Sequence, residues 1–176
     1  MTRPAVFLDR DGVLNEIVER EGRPGSPRAL DEFRLVDDIE SVRRLGDEGF
    51  LVFLVTNQPD IARGRVTPEL IEAMTAAIRR RVRIDDVRVC PHEEEDNCAC
   101  RKPKPGMLLD LARHWRVDVR DSWFIGDMWR DVQAARAAGV RAVLLRRPYN
   151  ADVEADAVAS TLGEAVECIL AEGIEP

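Results

Sequence analysis

The sequence predicts an α/β fold, a doubly wound and mostly parallel sheet with helices on both faces. Predominantly apolar runs of four to eight residues recur along the chain, and helical patterns fill the intervals between them. Runs that stay apolar instead of alternating mark strands covered on both faces, as in a parallel sheet. No repeat, low-complexity tract or interdomain linker interrupts the 176 residues, so a single domain over 1–176 is expected.

The first strand is AVFL (5–8). EREGRPGSPRAL (20–31), rich in Gly and Pro, reads as a loop or flap. Ile39, Val42 and Leu45 mark a helix that stops at Gly49, ahead of a second strand, FLVFLVTN (50–57). Thr67 as N-cap and Pro68 at the first helical position open a helix carrying Leu70, Ile71, Met74 and Ile78. A third strand, VRVC (87–90), precedes a helix that starts at Pro105 and carries Leu108, Leu109, Leu111 and Ala112. WFIGD (123–127) leads into a helix over 130–138 that ends at Gly139. AVLL (142–145) and a weak DAVAS (156–160) complete the strands, and Thr161 with Glu164 forms a capping box for the last helix.

A net charge of -7 and a pI near 5.0 argue against nucleic acid as a partner, because phosphate-backbone binding needs a basic face that releases counterions. The N-terminal MTRPAVFLDRDG has an apolar run too short for a signal peptide or a membrane span. A cytoplasmic monomer with no membrane partner is expected. In a reducing compartment, thiols serve more often as metal ligands or core residues than as disulfides.

Asp9 and Asp11 follow the first strand directly, and their spacing of two returns both carboxylates to one face before Gly12 turns the chain. An isolated D-x-D motif reads first as charged turn residues. Three further strand ends strengthen it: Thr56 and Asn57, Lys102, and Asp127 with Asp131, all of which this fold brings to one crevice. Together they suit phosphoryl transfer, where a carboxylate attacks phosphorus and a divalent cation neutralises and aligns both anions. The Asp9 and Asp127 carboxylates and the Asp11 carbonyl suit magnesium, a hard ion that prefers oxygen. Thr56, the Asn57 backbone N–H and Lys102 would address the phosphate oxygens. Of 26 basic residues, 24 are arginine. A lysine at 102 therefore suggests a task for a compact charge on a flexible stem. Lys104 reads as an exposed loop residue.

Cys90, His92, Cys98 and Cys100 form C-x-H followed, after five residues, by C-x-C. Three thiolates and an imidazole make a closed tetrahedral set for structural zinc, in a loop too acidic to be packed core. This zinc would pin the segment just before Arg101 and Lys102. Cys168 reads as core, and His114 as a charge at a helix C-terminus.

FLDRDGVLN, LVTNQ, RKPKPGM and FIGDMWRD, in this order, resemble the haloacid-dehalogenase-like phosphatases. The resemblance implies that Asp9 is the nucleophile, forming an aspartyl-phosphate, and Asp11 the general acid and base. It further implies that Thr56 and Lys102 hold the phosphoryl group, that Asp127 binds magnesium and that Asp131 orients the site or Lys102. The chain between these motifs is used up by the flap, two helices, a strand and the cysteine loop, so no cap domain fits. The zinc loop resembles a capless subgroup that acts on heptose bisphosphate or histidinol phosphate. TNQPDIARGRVT and CRKPKPGMLL are closer to the heptose type, which implies hydrolysis at C7 of a small phosphorylated sugar. The five-residue His92–Cys98 spacer matches the histidinol-phosphate type, while Pro59-Asp60 and Met128 depart from the heptose pattern. Arg63, Arg65 and Arg101 are placed to contact a second anionic group. A phospho-aspartate receiver module, also α/β with clustered aspartates, is the reading from another class, and a zinc-dependent interaction module is a third.

Overall fold

The computed structural model describes residues 2–172. The ends of the expected domain, residue 1 and residues 173–176, lie outside the described residues. Strand β1 (Ala5–Leu8) is followed by a hairpin of β2 (Val18–Arg20) and β3 (Arg23–Gly25), then a 3-10 turn and helix α1 (Arg43–Asp47). Strand β4 (Leu51–Asn57), helix α2 (Pro68–Arg79), strand β5 (Asp86–Cys90) and helix α3 (Gly106–Trp115) come next. Strand β6 (Trp123–Gly126), helix α4 (Trp129–Ala138), strands β7 (Arg141–Leu145) and β8 (Ala157–Ala159) and helix α5 (Leu162–Ala171) complete the order.

Six strands form one sheet in the order β5-β4-β1-β6-β7-β8, and every pairing is parallel. This is the doubly wound arrangement expected, with the winding reversing between β1 and β6. Because side chains alternate across a strand, β1 sends Val6 and Leu8 to one face and Ala5 and Phe7 to the other. The first face packs against α1, α2 and α5 through Leu45, Ile78, Val166 and Ile169. The second packs against α3 and α4 through Leu108, Leu111, Val132 and Ala135. Burial on both faces explains why all four residues of β1 and of β6 had to be apolar or small.

The helix ends follow their sequence signals, with local differences. Thr67 Oγ1 accepts the Leu70 N–H at 3.2 Å, as an N-cap does. At α5, Thr161 accepts the Glu164 N–H, but Glu164 reaches back to the N–H of Ser160 instead of Thr161, so the expected reciprocal box is displaced by one residue. The stretch read as a flap, 20–31, takes in the turn and β3 of a hairpin whose first strand already begins at Val18; three-residue strands carry no measurable period in sequence. Helix α1 is a single five-residue piece extended by the 3-10 turn Ile39–Val42, and Gly46 inside it weakens the pattern. Cys168 is half-buried, less enclosed than a core position. Among the described residues the hairpin, the 3-10 turn and α1 are the elements between β1 and β4, and α2 is the element between β4 and β5, so no domain lies over the crevice above the strand ends.

Candidate active site

Asp9 leaves β1 at the point where the winding reverses, with its N–H extending the ladder to Ile125 O at 3.0 Å. Lys102 comes from the loop beyond β5 and is 2% exposed. Its Nζ lies 2.9 Å from Asp9 Oδ1 and 2.7 Å from Asp131 Oδ1, and donates to Val55 O at 3.1 Å. Two carboxylate oxygens and one carbonyl oxygen thus surround the ammonium. Burial opposes charge on this lysine, yet the attraction of Asp131 and Asp9 outweighs it and raises its pKa. A planar guanidinium could not make three divergent contacts in so small a space, which explains lysine in an arginine-rich chain.

Two donors converge on Asp9 Oδ1, Lys102 and the Arg10 N–H at 2.8 Å, whereas Oδ2 accepts no hydrogen bond among the described residues. Burial pushes the Asp9 carboxyl up to about 6, with Lys102 pulling the other way. Asp127, at the end of β6, is pushed to about 8 by burial and by the neighbouring Asp131 and Asp9. Asp131 caps α4: one oxygen accepts the N–H groups of Asp127 (3.2 Å) and Met128 (2.9 Å) while the other pairs with Lys102. A Cβ at Gly126 would collide with the Asp131 carboxylate, so the glycine of FIGD lets the helix start close against the strand.

The donor set fits a divalent cation. Asp9, Asp127 and Asp131 each place one oxygen within 4.8 Å of the others, and when all three are ionised around one ammonium they leave a surplus of two negative charges. Asp127 Oδ1 is buried with no hydrogen-bond partner among the described residues, a costly arrangement unless a cation meets it. Asp131 is already committed to Lys102 and the helix cap, which leaves Asp9 and Asp127 as the side chains available to a metal.

Asp11 is held by residues that motif reading did not single out. Its carboxylate accepts from Arg10 (3.0 Å), Asn15 (2.9 Å), Ser26 (2.7 Å) and Gln58 (2.9 Å). Arg10 is fully buried and also faces the Phe33 ring. No local pattern marks Arg10, Asn15 or Ser26 in advance, since each acts through the tertiary turn that closes on Asp11. Thr56 is buried, and its hydroxyl accepts from the Gln58 amide at 2.9 Å. Asn57 uses its side chain to clamp Lys102, donating to Lys102 O at 3.0 Å and accepting the Lys102 N–H at 3.1 Å. The sequence had suggested only its backbone N–H.

The cysteine loop closes as expected. Cys90, Cys98 and Cys100 sulfurs lie 3.2 to 3.6 Å apart, and His92 Nδ1 lies 3.6 Å from Cys90 and 3.3 Å from Cys100. A zinc–sulfur bond of about 2.3 Å implies tetrahedral edges of roughly 3.8 Å, so the four ligand atoms stand at nearly that spacing, far beyond a disulfide bond. Burial raises Cys90 to about 12, whereas hydrogen bonds to Cys98, from Cys100 and the Arg101 N–H among others, overcome burial and lower it to about 7. The cluster is compatible with zinc, which would have to displace the remaining thiol protons. Lys104 donates to Asn97 O at 3.1 Å and also meets its side-chain oxygen, tying down a residue in the left-handed region (φ 47°). Arg101 Nη1 donates to His92 O at 3.0 Å, stitching the cysteine loop to the lysine beside it.

Beyond the aspartates opens a basin of about 390 Å³ bounded by Arg20, Arg23, Arg28, Arg63, Arg101 and Arg130. Asp60 organises one wall: Arg28 meets it at 2.6 Å, Arg63 at 3.3 Å and Arg65 at 3.4 Å. Arg63 also pairs with Glu93, so the expected anion contact is preceded by two internal partners. Arg130 lines both this basin and the aspartate pocket and makes no ion pair or hydrogen bond among the described residues.

The chain is 39% identical to the D-glycero-beta-D-manno-heptose-1,7-bisphosphate 7-phosphatase of Pseudomonas aeruginosa, an alignment covering 83% of each. The HAD-hydrolase-like family model matches residues 99–165. The chain belongs to the HAD-like hydrolases. Another of these HAD-like relatives, the phosphatase of the same description in Escherichia coli K12, is 36% identical over 94% of this chain and 93% of its own. Among solved structures, the D,D-heptose 1,7-bisphosphate phosphatase from B. bronchiseptica, complexed with magnesium and phosphate, superposes with a TM-score of 0.84. It is 31% identical and covers 97% of this chain and 99% of its own.

Proposed function

We propose that this HAD-like chain is a magnesium-dependent phosphomonoester hydrolase that removes the C7 phosphate of D-glycero-D-manno-heptose 1,7-bisphosphate through an aspartyl-phosphate on Asp9. The observation that carries the reading is Lys102, buried between Asp9 and Asp131 beside an Asp127 oxygen that has no partner. Two relatives of that printed activity, each above 30% identity, support the substrate.

Asp9 Oδ1 is occupied by Lys102 and the Arg10 N–H, so Oδ2 is the oxygen left to attack phosphorus. As the new O–P bond forms, the bond to the sugar oxygen breaks, and Asp11 gives that oxygen a proton. To do so its carboxyl must exchange one of its contacts with Ser26 or Gln58. Asp11 then takes a proton from water as the water oxygen bonds to phosphorus and the Asp9–phosphate bond breaks, which releases inorganic phosphate and restores the Asp9 carboxylate. Magnesium held by Asp9, Asp127 and the Asp11 carbonyl would supply positive charge that aligns the phosphate with the nucleophile. Thr56 and the Asn57 backbone would address the phosphate oxygens, and Lys102 would neutralise charge beside them. Zinc at Cys90, His92, Cys98 and Cys100 would hold the loop that delivers Lys102.

The arginine basin favours a substrate with a second anionic group over histidinol phosphate, whose own ammonium the same wall would repel. Arg63, Arg101 and Arg130 are its candidate contacts. The three thiols poised for metal suit a reducing compartment. Comparing kcat/KM for both anomers of heptose 1,7-bisphosphate and for histidinol phosphate, with and without magnesium, tests the reading. Higher efficiency on a heptose bisphosphate is expected; higher efficiency on histidinol phosphate overturns the substrate, and magnesium-independent turnover overturns the mechanism.

A further inference from the structure

Tyr149 lies in the turn after β7 and shares no motif with the catalytic residues, yet its hydroxyl donates to Asp127 Oδ2 at 2.5 Å. The turn also holds the Asp127 backbone: Asn150, 3% exposed, donates from Nδ2 to Asp127 O at 2.6 Å and to Leu145 O at 2.8 Å. On the other side, Gly12 (φ +82°) leaves space that a Cβ would contest with the same carboxylate. Asp127 therefore has its backbone fixed and Oδ2 occupied. Oδ1 is the buried oxygen without a partner.

We infer that Tyr149 is a positioning residue that holds Asp127 as a one-oxygen metal ligand and so selects magnesium over calcium. Magnesium demands near-octahedral coordination by single oxygens, whereas calcium takes six to eight ligands and accepts both oxygens of a carboxylate. With Oδ2 tied to the Tyr149 hydroxyl, Asp127 can offer Oδ1 alone. A second oxygen for calcium must come from breaking that hydrogen bond. The inference rests on the reading of Asp127 as a magnesium ligand.

The test is direct binding of Mg²⁺ and Ca²⁺ to the zinc-loaded protein by calorimetry, in wild type, Tyr149→Phe, Tyr149→His and Asp127→Asn. In Tyr149→Phe the ratio of Ca²⁺ to Mg²⁺ affinity should rise about tenfold, one hydrogen bond's worth of discrimination. Tyr149→His, whose ring N–H can donate to the same oxygen, should keep the ratio near wild type. Equal weakening of both ions in Tyr149→Phe, or an unchanged ratio, overturns the inference, because a merely structural role moves both affinities together. Should Tyr149→Phe fail to fold, Tyr149→Leu against Tyr149→His gives the same comparison. Asp127→Asn separates the two readings. If it leaves metal binding intact, Asp127 is no ligand and both fall; if it abolishes binding while Tyr149→Phe keeps the ratio, the selectivity role alone falls.

Discussion

Asn57 and Lys102 exchange two hydrogen bonds, side chain to backbone in both directions, across 45 residues of chain. This clamp joins the end of β4 to the segment leaving the cysteine loop. It sets where the Lys102 stem begins, and hence where its ammonium reaches Asp9. Asn57→Ala leaves a backbone donor and acceptor without those partners, so a loss of about 1–3 kcal/mol is expected. Thermal melts should show a lower Tm, and kcat should fall more than KM rises. A variant as active and as stable as wild type would remove the clamp from the account.

Cys98→Ser should release zinc and lower turnover although Asp9, Asp11 and Asp127 are untouched. The loop runs from Cys100 directly into Arg101 and Lys102, and Arg101 is bonded back to His92 O. Metal content by mass spectrometry and turnover measured on one sample check this. Unchanged zinc and turnover would uncouple the two sites.

Asp9 and Asp127, raised to about 6 and about 8, set a pH dependence of definite sign. Their folded pKa values exceed the unfolded value of 3.8, so the stability linked to them is fully present below that pH and is lost as pH rises to about 6 for Asp9 and about 8 for Asp127. The magnesium-free, zinc-loaded protein should therefore lose Tm between about pH 5 and 8, apart from other titrations. The Tm gain on adding magnesium should grow over the same window, because less proton has to be displaced. A magnesium gain that is constant with pH would contradict this assignment.

Arg130→Ala should raise KM for a bisphosphate several-fold while leaving that for a small aryl phosphate nearly unchanged. Arg130, like Arg23, lines the basin without an ion pair or hydrogen bond among the described residues, so none is broken by its removal. Equal effects on both substrates would place Arg130 outside recognition of a second anion.

Much of this was legible in sequence because the relevant signals are local. The unbroken apolar runs gave the parallel strands, and carboxylates directly after β1 and β6 had to meet where the winding reverses. The C-x-H and C-x-C spacing closed into one cluster because its four ligands lie within 11 residues, 90 to 100. What stayed hidden depends on tertiary closure. Ser26 reaches Asp11 only through the hairpin, Tyr149 reaches Asp127 from 22 residues away, and Asp60 gathers arginines from two separate segments. The short β2 and β3 carry too few residues for any period to register.

The covalent bond between phosphorus and the Asp9 side chain is the central step of the proposed reaction, and acid-quench labelling with a phosphate-labelled substrate detects it directly. Wild type should carry a transient, alkali-labile label on Asp9, and Asp9→Asn should carry none, with kcat reduced on the order of 10⁴-fold or more. Wild-type turnover in Asp9→Asn would contradict the account.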